Sequence, residues 1–104
     1  MLQRPERRYL SSMRFEWLPG GVLVNRGMND IALGITSESA FLVKVGAPRL
    51  RQLGLEIPDH STENPEAELY CLLAERDSDS AHSRYNALIR QLISFERALE
   101  SDGR

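Results

Sequence analysis

A chain of 104 residues with 41% hydrophobic content is long enough for one modest core, which excludes a disordered chain and leaves little room for an enzyme with its own substrate domain. A net charge of -2 excludes a strongly basic protein built to hold nucleic acid or an anionic membrane over its whole surface.

Residues 1–12 read as a flexible basic arm, with Arg4, Arg7 and Arg8 around Pro5 and little apolar content. Residues 13–104 read as a single small domain. Within it, residues 14–24 predict a β-hairpin. Arg14-Phe15-Glu16-Trp17 alternates polar and apolar side chains, Pro19-Gly20-Gly21 supplies turn chemistry, and Val22-Leu23-Val24 follows with β-branched valines. Residues 28–46 fit two readings. Ile31, Leu33 and Ile35 alternate as in a strand, whereas Thr36 or Ser37 followed by Glu38 can open a helix.

Residues 47–56 predict a short middle helix, with Pro48 at its first position, Leu50 and Leu53 on one face, and Gly54 at its left-handed close. A polar connector, 57–64, ends on a strong start signal. Asn64 can cap, Pro65 takes the first helical position, and Glu66 and Glu68 face the positive end of the helix dipole. The helix Pro65–Arg76 is apolar around most of its circumference, which predicts cover on several sides and a buried, inert Cys71. Asp77-Ser78-Asp79-Ser80 is a four-residue link, so the last helix, from Ala81 to about Leu99 or Glu100, returns antiparallel and completes a helical hairpin over 65–100. The expected class is therefore α+β and helix-dominated: a small N-terminal hairpin, a short middle helix and a C-terminal antiparallel helix pair. The alternative is an essentially all-α chain.

The last helix carries the functional argument. Ala81, Tyr85, Leu88, Leu92, Phe95 and Leu99 are spaced 4, 3, 4, 3, 4, an a/d heptad seam. Ile89 and Ile93 widen that stripe to roughly 160° at ~100° per residue, where a surface helix shows about 100° or a little more. A helix half as long covers only part of it. The expected partner or dimer interface is therefore Tyr85, Leu88, Ile89, Leu92, Ile93, Phe95, Glu96 and Leu99. Glu96, a charge inside the stripe, suits a specificity pair with an arginine on a partner.

Residues 1–62 carry eight Lys/Arg and six Asp/Glu, and residues 63–104 carry five and nine. This basic-to-acidic polarity can orient an encounter. Arginine outnumbers lysine twelve to one, which points to a GC-rich, bacterial genome. A single cysteine, no apolar leader after Met1 and no run of about 18 apolar residues predict a cytoplasmic protein without a membrane role.

Catalytic, metal and cofactor signatures are not expected. Cys71 and His82 make a poor thiol–imidazole pair if Cys71 is buried. His60, Cys71 and His82 lack the close pairs that a zinc site needs. Gly20-Gly21 and Gly27 form no phosphate loop. Ile31-Ala-Leu-Gly-Ile-Thr carries residues of a helix-turn-helix turn, but two residues are missing before Leu-Gly. The would-be recognition helix also holds Phe41, Leu42 and Val43 in place of polar base readers. The expected function is a small non-enzymatic, protein-binding regulator. One example is an anti-activator that occludes a transcription factor's dimerisation face; homodimerisation through the last helix and a heterologous protein partner are both expected. The alternatives are a DNA-binding module using residues 28–56, with nucleic acid disfavoured by charge, and a binding protein of the secretion-chaperone or immunity type.

Overall fold

The computed structural model describes residues 16–60 and 62–102. Among these the chain is four helices with no strand: α1 (Gly21–Leu33), α2 (Glu38–Gln52), α3 (Pro65–Arg76) and α4 (Ala81–Asp102). The all-α alternative holds, and the basic arm over 1–12 lies outside the described residues.

The hairpin expected over 14–24 is not formed in its described part, where Val22-Leu23-Val24 lies in α1. A run of three β-branched and apolar residues is too short to outweigh the longer periodicity that follows it. Val24 and Gly27 are buried, and Met28 and Ile31 pack half-buried against the core, which is helical spacing. The ambiguity over 28–46 resolves as the end of α1, a turn and the start of α2. Ser37 joins the two helices. Its hydroxyl accepts from the Ala40 N–H at 3.0 Å and donates to Asp30 Oδ2 at 2.7 Å, so one side chain caps α2 and ties it back to α1.

The expected middle helix is instead the second half of α2, which runs through Pro48. Proline removes one ladder hydrogen bond, but the buried positions Leu42, Val43, Gly46, Ala47 and Leu50 keep helical spacing across it. Burial of that face outweighs the lost bond. The predicted stop at Gly54 is correct. The Gly54 N–H donates to the Arg51 carbonyl and the Leu55 N–H to the Leu50 carbonyl, both at 3.0 Å, with Gly54 at a φ of 102°. This is a Schellman closure that only glycine adopts without strain. Gly34 closes α1 the same way, with Gly34 N–H donating to Ile31 and Ile35 N–H to Asp30.

Asn64 caps α3 by accepting from the Ala67 N–H at 3.2 Å, and Pro65 takes its first position. The α3–α4 hairpin over 65–100 is observed at its predicted place, with α4 reaching Asp102.

Helix α2 is the centre of the fold and packs against α1, α3 and α4. Its Leu42, Val43 and Leu50 are fully buried together with Val24 of α1, Leu69 and Leu73 of α3 and Phe95 of α4. Two glycines set how closely the helices cross. A Cβ on Gly27 would overlap the Ser39 carbonyl oxygen and Val43 Cγ2 of α2. A Cβ on Gly46 would stand 2.9 Å from both Leu92 methyls of α4. The connector after α2 contributes Leu55 and Ile57 to the core. The Arg51 guanidinium holds it there, donating to the carbonyls of Ile57 at 3.1 Å and Pro58 at 3.3 Å.

Candidate functional site

The seam of α4 turns inward. Leu92, Phe95 and Leu99 are buried by this chain's own α2 and the rest of the core, and Tyr85, Leu88 and Ile89 pack half-buried against it. The far end of the stripe, which the short helix α3 cannot reach, is covered from within. Leu92 lies over Gly46 of α2, and Phe95 Cβ and the Gln91 carbonyl press against Gly20 at the entrance to α1. Of the eight residues expected at an interface, Ile93 stays well exposed, at 42%.

Glu96 is half-buried beside Gly46 and Leu92. Burial pushes its carboxyl above the ordinary value, and Arg49 of α2 acts against that rise. An arginine of the same chain thus acts on Glu96 through its charge. Arg49 also pairs with Glu100 at 3.3 Å, which fastens the C-terminal ends of α2 and α4 side by side.

Helix α3 buries only Leu69 and Leu73 fully. Its apolar circumference is not covered on several sides, and Cys71 is exposed, contrary to the sequence expectation. Tyr70 keeps 38% of its surface and leans on Tyr85 of α4, ring centroids 5.7 Å apart and tilted by 59°. Burial raises the Tyr85 hydroxyl pKa, and the nearby Glu66 adds to the rise. The α3–α4 flank thus presents Tyr70, the rims of Tyr85 and Ile89, and Ile93, with the acidic start of α3 at its edge.

A second surface was missed in the sequence. Among the described residues, four of the six exposed large hydrophobics lie on α1 or its flanking turns: Trp17 at 86%, Val22 at 52%, Leu33 at 66% and Ile35 at 48%. Val22, Arg26, Asn29 and Leu33 form a stripe that points away from Val24, Gly27 and Ile31 at ~100° per residue. Glu16, Val22, Asn25, Arg26 and Asn29 line a shallow depression along it. The 4, 3, 4 spacing of that stripe was the available signal, and it is invisible while 22–24 is read as a strand.

The turn-and-helix portion of 28–56 does not display a reading helix. Ser39, Ala40, Phe41, Leu42 and Val43 are all buried, so the N-terminal face that would enter a DNA groove is packed against the other helices. Among the described residues no group of three His, Cys, Asp or Glu could hold a metal ion, and no helix is long and apolar enough to cross a membrane. No family model, curated protein or solved structure matches the chain.

Proposed function

We propose that this protein is a small, non-enzymatic, cytoplasmic regulator that binds another protein through the α3–α4 flank. The observation that carries this reading is the exposure of Ile93 and Tyr70, at 42% and 38%, beside the half-buried Tyr85 and Ile89. An aromatic and aliphatic patch of this kind, with a charged border, has the make-up of a protein-binding surface centre. A rigid helix pair carrying such a flank can stand in for one helix pair of a partner's own dimer. That is how an anti-activator would occlude a transcription factor's dimerisation face. The unpaired, exposed thiol of Cys71 suits a reducing compartment.

Affinity capture from a bacterial host with wild type and Ile93→Glu, followed by mass spectrometry, tests the reading. The expected outcome is a protein held by wild type and lost by Ile93→Glu while circular dichroism shows an unchanged fold. Equal capture by both chains would overturn it.

A further inference from the structure

We propose that the outer face of α1 is a twofold seam at which a second copy of this chain docks antiparallel. The stripe Val22, Arg26, Asn29, Leu33 is symmetric about the midpoint between Gly27 and Met28. Turning one copy over a twofold axis through that midpoint places Val22 against the partner copy's Leu33, and Arg26 against the partner copy's Asn29. Apolar ends meet apolar ends, and the guanidinium donors meet the amide oxygen. A 4, 3, 4 spacing with a polar centre is the pattern that fixes register in paired helices. Closed twofold pairing is the commonest way for one surface to satisfy itself.

Three observations select a second copy as the occupant. Val22 and Leu33, the two ends of the seam, are exposed at 52% and 66%, and the turns before and after the helix carry the exposed Trp17 and Ile35, at 86% and 48%. Glu16 and Arg26 line the same depression, so each copy brings one anion and one cation and the joined face carries no net charge. The inward side of the helix is already committed to α2, with Gly27 in backbone contact distance of Ser39, so α1 is a rigid strut with only this side left to offer. The seam is separate from the α3–α4 flank, and either proposal can fail without the other.

A single 13-residue helix makes an interface at the small end of specific ones, so association in the micromolar range is expected. Sedimentation velocity of the full chain from about 1 µM to about 1 mM covers that range. The expected result is a monomer–dimer equilibrium that Leu33→Glu weakens at least about tenfold and that Asn29→Asp tightens. Register is read separately in a Cys71→Ser background. Chains carrying Val22→Cys and Leu33→Cys should cross-link when mixed. Each alone should not, because like positions sit about 16 Å apart along the pair at 1.5 Å per residue. A wild type that stays monomeric throughout overturns the proposal. So does a dimer indifferent to Leu33→Glu, which would place the contact elsewhere. A monomer that dimerises only once residues 1–15 are removed also overturns it, because the chain itself would then cover the face.

Discussion

Two glycines in this fold are alike in the sequence and unlike in what surrounds them. At Gly27 the obstructing atom is the Ser39 carbonyl, part of the α2 backbone, and it cannot step aside. Gly27→Ala is therefore expected to destabilise the protein by about 2–3 kcal/mol, although alanine is the better helix former by about 1 kcal/mol. At Gly46 the obstructing atoms are the Leu92 methyls at 2.9 Å and Glu96 Oε2 at 3.2 Å, the far ends of two side chains. Gly46→Ala should stay within about 1 kcal/mol of wild type, helix propensity offsetting a small repacking. Chemical denaturation of the two variants checks the pair, and equal losses would show that the α1–α2 crossing is looser than its geometry. Neither role was legible beforehand. Glycine marks a break in the absence of a structure, and only the neighbouring helix reveals it as a contact.

At the scale of elements, legibility followed the strength of the local end signals. Helix α3 was readable from Asn64-Pro65 at its start, and its turn from Asp77-Ser78-Asp79-Ser80. The close of α2 was readable from Gly54. Helix α1 was not, because its first turn is Val22-Leu23-Val24 and its N-cap, Gly20, supplies no side-chain hydrogen bond. The start of α2 was half-readable: Ser37 is a good cap, but its bond to Asp30 spans two helices and leaves no trace in local sequence. That double role predicts a larger loss than capping alone. Ser37→Ala should cost about 1–2 kcal/mol by thermal or denaturant unfolding. Asn64→Ala, a cap with a single bond, should cost about 1 kcal/mol or less.

For the whole molecule, the sequence correctly made α4 amphipathic but misassigned what covers it. Counting only α3 as a neighbour leaves Leu92, Phe95 and Leu99 bare; adding α2 and the entrance to α1 covers this end of the stripe. The omission was unavoidable once 38–52 was split at Pro48, since the missing neighbour was then two unrelated fragments. The connector also contributes to the molecule's response to acid. Both ring nitrogens of His60 are buried without a hydrogen-bond partner. Burial, reinforced by Lys44 and Arg51 and opposed by Asp59, lowers its pKa below the ordinary 6.5. The native state therefore holds the neutral ring, while the unfolded chain takes up the proton as pH falls below about 6.5. Stability is full above that pH and is lost as pH drops toward the native ring's lower pKa. Glu96 acts in the opposite sense. Its raised carboxyl pKa adds stability that is full below 4.5 and lost as pH rises through the raised value. Comparing Tm for wild type and His60→Phe between about pH 7.5 and 5.5 isolates the ring. Wild type should lose more on acidification, and parallel curves would show that the ring does not govern the response.

Glu38 makes the three helix ends around it interdependent. Its carboxylate, only 15% exposed at the first turn of α2, accepts from Arg76 at the end of α3 at 2.9 Å and from Arg84 at the start of α4 at 3.1 Å. Helix ends ordinarily open and close one at a time, each at small cost. Here the opening of any one end releases a contact that the other two share, so fraying at this corner is a collective event. The end of the bundle nearest the Asp77–Ser80 turn, where local motion would be expected to start, should exchange its amide hydrogens as one block.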